Sequence, residues 1–393
     1  NAYLNAIFQT SFDDSATDLW DDHHHNLSAG LSLNYDGYSE ELLLASNLSP
    51  LTYNLNHWEV TSGVFAEYTY TYKDKVTLLM GIREDYSTRY GFFTTPRMNI
   101  RYAPFEWWTL RGSIGFGYRS PNAIADNAAY LASNRMYYFN ADSLAQERSM
   151  NMGLSTIFYI PIGKRELQLS GEYYYTEFHD GVIADMDRSL HGITLYNMHD
   201  VEGAKYFSHN WQVEASMEIL RGWTMTAAFR YTDVKQTTFN TATNEYQLRE
   251  KPLQNKFKGI ITTSYQTPLK TWQFDLTAQF NGEGRMPDGF AIPEGSKQYF
   301  TDENGQVHHK WYPQLLGQIT KFFRTWSIYL GAENMTNFTQ DNPIVGERLE
   351  AKGEKHGGFV NPHSANYDAS MIWAPIHGWK LYLGFRWSLE REE

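Results

Sequence analysis

From Trp379 onward the side chains alternate in kind almost without interruption. Trp379, Leu381, Leu383, Phe385, Trp387 and Leu389 fall on one parity, and Lys380, Tyr382, Gly384, Arg386 and Ser388 on the other. Successive side chains of a β-strand point to opposite faces, so parity sorts these residues into an apolar face and a polar face. The pattern returns from Trp272, where Trp272, Phe274, Leu276, Ala278 and Phe280 alternate with Gln273, Asp275, Thr277, Gln279 and Asn281. It returns again from Trp108 (Leu110, Ile114, Phe116 and Tyr118 against Thr109, Arg111, Ser113 and Arg119) and from Trp223 (Met225, Ala227, Phe229 and Tyr231 against Thr224, Thr226, Ala228, Arg230 and Thr232). A helix would space its apolar residues three and four apart, so these segments read as strands with one face away from water.

Three features favour a membrane barrel over a soluble, aromatic-rich sandwich or propeller. The strands run for about 10 to 15 residues, against the usual 5 or 6 of globular proteins. Their apolar rows begin or end in Trp or Tyr, as residues at a membrane–water interface do, and aromatics make up 16% of the chain, with 28 Tyr and 12 Trp. Connections alternate between short turns (Lys73-Asp74, Ala103 to Glu106, Pro161 to Lys164, Pro268 to Lys270, Arg324-Thr325) and long loops at about 119–143, 285–308 and 339–378, the asymmetry of outer-membrane barrels. No apolar run is long enough for a transmembrane helix, and the mean hydropathy is −0.54. A barrel tolerates both, because each of its strands is half polar.

The expected fold is all-β: an antiparallel transmembrane β-barrel with about 15 strands present of the 22 that plugged transporters have. If the last strand descends to the periplasm, the short turns fall on the periplasmic side and the long loops outside. An odd count then starts the first strand on the outer side. The chain, 1–393, is therefore expected to be one barrel domain, incomplete at its N-terminus, with seven strands and a plug outside it. A free strand edge in lipid would leave backbone groups unpaired. No leader precedes Asn1, so an exported parent is expected to carry more sequence upstream.

The charge balance is −12, which argues against a nucleic-acid partner, since phosphate binding needs a basic face. With no cysteine, disulfides and thiolate metal sites are excluded. Ser, His and Asp occur at no spacing that makes a nucleophile motif, so no enzyme is expected.

Several segments resemble TonB-dependent receptors, in that family's order and over nearly the whole chain. Gly331-Ala332-Glu333-Asn334-Met335-Thr336-Asn337-Phe338 is similar to the family's G-x-E-N-L-T/F-N/D element, and a loop and aromatic closing strand follow it. Thr95-Pro96-Arg97 through Tyr102 resembles the P-R-x-x-x-x-Y strand, and Arg111-Gly112 through Pro121 the G-x-G-F/Y-R-x-P strand and loop. Asp341-Asn342-Pro343-Ile344 and Gly284-Arg285-Met286-Pro287 look like the form found in Bacteroidetes. The ending departs from the pattern: such barrels often finish on Phe, whereas this chain adds Glu390-Arg391-Glu392-Glu393.

The resemblance implies active import across the outer membrane of a scarce, large ligand of the cobalamin, haem or iron–siderophore class, with cobalamin or another metal-containing cofactor foremost. A passive diffusion porin and a structural or adhesive barrel are the alternatives. The implied partners are TonB, through an N-terminal box, the protein's own plug domain, outer-membrane lipid including lipopolysaccharide, and a surface lipoprotein lid. Arg83, Asp85, Arg111, Arg230 and Asp275 are expected on the lumen side, facing the plug or simply lining it.

Two outer loops hold the candidate ligand contacts. Asp185, Met186, Asp187, Arg188, His191 and Tyr196 mix carboxylate, thioether, imidazole and phenol, which suits a cargo contact or Ca2+ held through carboxylates. Arg119, Asn122, Asn127 and Tyr130 form the second set. Tyr137-Tyr138-Phe139 suits stacking on a planar ligand or the top of a strand. Asp21-Asp22-His23-His24-His25 has metal-ligand chemistry but falls in a periplasmic turn. Beyond Ca2+ in the outer loops, no cofactor or metal is expected.

Overall fold

The computed structural model describes residues 1–12, 23–44, 51–140, 143–189, 191–347 and 360–388. Its main body is one sheet of 17 strands. In chain order these are β1 (Ala2–Ser11), β2 (His23–Tyr38), β3 (His57–Tyr72), β4 (Val76–Ser87), β5 (Gly91–Thr94), β6 (Arg97–Phe105), β7 (Trp108–Arg119), β8 (Glu147–Ile162) and β9 (Arg165–Asp180). There follow β10 (Tyr206–Leu220), β11 (Trp223–Asn240), β12 (Glu245–Glu250), β13 (Phe257–Gln266), β14 (Trp272–Asn281), β15 (Tyr312–Phe322), β16 (Trp326–Glu333) and β17 (Lys380–Trp387). Each pairs antiparallel with its sequence neighbour, save that β5 and β6 lie end to end along β4, and β12 and β13 along β11. Seventeen strands thus fill fifteen positions, the number expected from the sequence. Among the described residues the sheet has two edges, β1 and β17.

Short turns gather at one end. Lys73 and Asp74 both take positive φ (48° and 53°), the geometry of a tight hairpin, and Gly163, Gly222 and Lys270 do so at three other turns. Two turns are tighter than the sequence predicts: β6 runs through Ala103 to Phe105, and β8 through Pro161 and Ile162. Ladder pairing competes with the turn signal of Pro104 and Pro161 and extends both strands. At the other end the connections are long: 120–146, 181–205, 282–311 and 334–379.

The register fixes which way each parity points. Leu31, Val64, Ile82, Met98, Leu154, Trp211, Phe274, Ile319, Leu330 and Leu383 are all exposed apolar residues on one face, linked strand to strand by pairs such as Leu31↔Val64, Ile319↔Phe274 and Leu330↔Leu383. The opposite face carries Arg83, Asp85, Arg111, Arg230 and Asp275. Asp85 is buried and takes a bidentate pair from Arg83, which also reaches Ser32. Asp275 accepts from Ser264 and Gln273. On β16 and β17 the inward face is made of tyrosine rings laid over glycines. A Cβ on Gly331 would stand 2.2 Å from the Tyr382 ring, and one on Gly384 2.0 Å from that of Tyr329.

A sheet with a continuous apolar exterior needs something other than water against it, and its own core lies elsewhere. The main buried apolar clusters sit under the long connections. One joins Met286, Phe290, Tyr299, Tyr312, Met371, Trp373 and Ala374. A second joins Ala123, Tyr137, Leu144, Ile193 and Leu195, and a third Ile183, Tyr196 and Met198. The loops are therefore a packed cap on one mouth of the wall.

The histidine run is split by strand parity. His23 and His25 share the apolar exterior with Tyr68, Tyr70 and Tyr72, hydrogen-bonding Tyr70 at 2.7 Å and Tyr68 at 2.6 Å, while His24 faces the other way. They belong to an aromatic rim at the short-turn end. Asp21 and Asp22 lie outside the described residues, and among the described residues no group of three acidic, His or Cys side chains is placed to hold a metal ion.

Candidate ligand site at the outer mouth

The two predicted loop sets separate in the structure. Arg119, Asn122, Asn127 and Tyr130 come together around a cavity of about 180 Å3, joined by Asp126, Glu147, Phe178, Tyr206, Gln236 and Lys251. The wall side is set by register: Arg119↔Glu147, Phe178↔Tyr206 and Tyr206↔Gln236 are cross-strand pairs on the inward face. The roof is the short 3-10 segment Ala125–Ala132 and its approach. Asn122 orders the approach to this segment, its side-chain oxygen accepting from the backbone N–H groups of Ile124 and Ala125, while its amide donates to Glu40.

Charges of both signs line the cavity. Arg119 donates to Glu147 at 2.7 Å and to Asp126 at 2.6 Å. The Lys251 ammonium donates to the Tyr206 hydroxyl at 3.0 Å and lies over its ring. Burial works against the charge on Lys251, but the Tyr206 hydroxyl and the neighbouring Tyr130 and Glu147 outweigh it and hold its pKa above the ordinary lysine value. Burial likewise pushes the Tyr130 phenol up. The cavity thus offers one fixed cation, a phenol donor and a paired guanidinium. Its volume suits one polar group of a larger ligand rather than the whole of it. Sequence reasoning missed Glu147, Tyr206, Gln236 and Lys251. Parity identified Arg119 as inward-facing, but only the register shows which residues face it across the ladder.

Asp185, Met186, Asp187 and Tyr196 are buried instead. Asp187 receives a two-pronged pair from Arg285 (3.1 and 2.5 Å), the Thr238 hydroxyl at 2.9 Å and the Asp288 N–H at 2.9 Å. Burial raises its pKa, but Arg285 and the Asp288 amide outweigh that and leave it below the usual carboxylate value. Asp185 accepts from the backbone N–H groups of Asp187 and Phe239; burial dominates there and raises its pKa. Tyr196 donates to the Thr237 carbonyl. The acceptors of Asp185 and Asp187 are thus met by protein donors. Arg188 is exposed, donating to Tyr246 and lying over Phe239, and His191 is exposed too. Tyr137 is buried at the heart of a loop cluster, on a short strand (Met136–Tyr138) paired in parallel with Gly192–Asn197, and takes the strand alternative.

The loop cap also contains a titratable lock. His309 is fully buried and stacks on Trp373 at 4.2 Å. Its Nδ1 donates to the Lys310 carbonyl at 3.2 Å, leaving Nε2 without a partner. Burial lowers its pKa from 6.5 to about 4. The folded cap therefore favours the neutral imidazole, and its stability is complete above about 6.5 and falls as pH drops toward 4. The loss is on the order of 3 kcal/mol for a shift of this size. Proteolysis of the 282–311 loop is expected to accelerate between pH 7 and pH 4.5, and the His309→Phe variant to lose most of that pH dependence.

An antiparallel wall with an apolar exterior, a polar interior, short turns at one end and a capped mouth at the other defines a membrane β-barrel class. The sequence model for the TonB dependent receptor-like β-barrel matches residues 1–335, and the chain belongs to that family, whose barrels lie in the outer membrane of Gram-negative bacteria. Its fold is similar to that of solved receptors. These include an enterobactin-bound variant of the ferric enterobactin receptor PfeA of Pseudomonas aeruginosa (TM-score 0.61, 14% identity, 98% of this chain and 54% of that one). The FrpB iron transporter of Neisseria meningitidis (0.57, 12%, 98% and 54%) and the siderophore receptor PirA of P. aeruginosa (0.55, 14%, 86% and 53%) are similar in fold too. The chain spans just over half the length of each. No curated protein matches its sequence.

Proposed function

We propose that the chain is the larger part of the barrel of a TonB-driven importer, and that the inward cavity at the outer mouth takes a polar group of its cargo. The cavity carries this reading: a protonated Lys251, a phenol and a guanidinium meet on the inward face, where a ligand entering from outside arrives first. The cargo class is a scarce, large, metal-bearing compound, an iron–siderophore, haem or cobalamin. Solved barrels of similar fold are receptors for ferric enterobactin and other siderophores and a transporter of iron. The rest of a receptor-sized protein would supply the strands that close the barrel, the plug, and the segment that TonB pulls. TonB and the plug are the implied partners, and the task is transport rather than catalysis.

The test uses the full-length protein as the sole importer of its strain, offered iron–siderophores, haem and cobalamin in turn. Uptake of one class is expected to cease when the proton gradient is collapsed or TonB removed. In the same assay Lys251→Ala is expected to weaken cargo binding by about tenfold, the worth of one buried charge-assisted hydrogen bond. Uptake that continues without TonB would favour a porin, and no uptake of any solute an adhesive barrel.

A further inference from the structure

We propose that the inner lip of the short-turn mouth, between β14 and β17, is an anion seat occupied by the chain's own acidic tail, Glu390-Arg391-Glu392-Glu393. A groove of about 580 Å3 runs along this lip. Gln273, Ser327 and Arg386 enter it from the inward face, whose parity the register carries from Gln273 through Thr320 and Tyr329 to β17. Lys270 and Arg324 enter it from the β13–β14 and β15–β16 turns, and Ser388 lines it just past β17. The chain as a whole carries 45 acidic residues against 33 basic ones, yet this lining holds three cations and no carboxylate. Lys270, Arg324 and Arg386 are all exposed, and none of them makes an ion pair among the described residues. Like charges gathered on one surface repel one another until a counter-charge comes between them.

A source of that counter-charge follows Ser388 directly. Leu389 to Glu393 lie outside the described residues, but their starting point and their sequence are fixed. The Ser388 N–H donates to the Thr325 carbonyl at 2.9 Å, so the chain leaves β17 against the Arg324-Thr325 turn. Alternate residues of an extended chain face the same way. Glu390 and Glu392 therefore share the parity of Arg386 and Ser388, and Arg391 takes the other. From Ser388 to Glu392 an extended chain covers about 13 Å. From β17 across to β14 is three strand spacings, about 14 Å. Glu390 thus meets Arg324 or Arg386, and Glu392 reaches Lys270. So seated, the tail ties the end of β17, an edge of the described sheet, to two neighbouring turns. The inference is independent of the cargo.

The full-length protein in detergent micelles, where both mouths are open to solvent, is treated with a water-soluble carbodiimide. This reagent joins an amine to a carboxylate in contact with it, and the linked peptides are read by mass spectrometry. Lys270 is expected to be joined to Glu390, Glu392 or Glu393. The R324K variant keeps the charge and brings in a second amine, which is expected to give a second link to the tail. Both yields should fall at least about threefold in 1 M salt, where the Debye length drops to about 3 Å. Lys164, at another short turn, should give no tail link. Heat-modified gel mobility reports that the variant is folded. Absence of either tail link, links from both amines to carboxylates of the plug instead, yields unmoved by salt, or an equal tail link from Lys164 would each overturn the seat.

Discussion

Replacing Arg285 with alanine is expected to unfasten the loop cap, at a cost of about 3–5 kcal/mol, the scale for removing one partner of a buried ion pair. Arg285 and Asp187 are both buried, and Arg285 also donates to the Glu250 carbonyl. Without the guanidinium, Asp187 keeps Thr238 and the Asp288 amide but loses its main counter-charge, and burial then pushes its pKa up. Asp187 connects the 181–205 and 282–311 loops to the wall through Thr238, so its release loosens three segments together. Hydrogen exchange should rise across both loops while the wall strands stay protected. An Arg285→Met/Asp187→Leu pair, which removes both charges and keeps the volume, should restore much of the loss. A single variant no less stable than wild type would show that the pair is not what fastens the cap.

Placing arginine at Leu330 should have the second-largest effect. Leu330 is exposed, flanked by Ile319 and Leu383 on the exterior of β16. In a bilayer that surface faces hydrocarbon, and a cation there costs about 2–4 kcal/mol. Gln212→Arg is the matched control: it sits on the inward face between Glu172 and Arg230, where attraction to one offsets repulsion from the other, and should change stability by less than about 0.5 kcal/mol. Denaturant titration of both variants folded into lipid vesicles gives the comparison. Equal effects would mean that the two faces meet the same medium, and the wall would not be a membrane wall.

Much of this fold was legible because a strand's period is two and its faces here meet opposite solvents. A one-residue slip of a strand would exchange its faces, turning Leu330 inward or Gln318 into lipid, so Trp379 to Leu389 and Trp272 to Asn281 could be sorted by parity alone. The G-A-E-N-M-T-N-F element has a local cause as well: Asn334 and Asn337 take positive φ, and their side chains bind Phe338, His377 and Trp379, pinning the entry of β17 to the exit of β16. The candidate site was half legible. Arg119, Asn122, Asn127 and Tyr130 are close in sequence and could be found together. Lys251 joins them from a distant connection, beside Tyr206, and Arg285 reaches Asp187 from 98 positions away. Asp185 and Asp187 look alike in sequence, but only the structure shows that Asp187 is met by Arg285 and Asp185 by backbone N–H groups.

The chain has no cysteine, so single cysteines introduced one at a time from Lys380 to Trp387, in the full-length protein with any cysteine outside this chain replaced by serine, would each carry a unique spin label. Collision rates with oxygen, which concentrates in lipid, and with a water-soluble nickel chelate would be measured in vesicles. Oxygen collisions are predicted to peak at Leu381, Leu383, Phe385 and Trp387 and to fall at Lys380, Tyr382, Gly384 and Arg386, alternating with period two. Nickel accessibility at Leu381, Leu383 and Phe385 as high as at their neighbours would contradict the membrane wall.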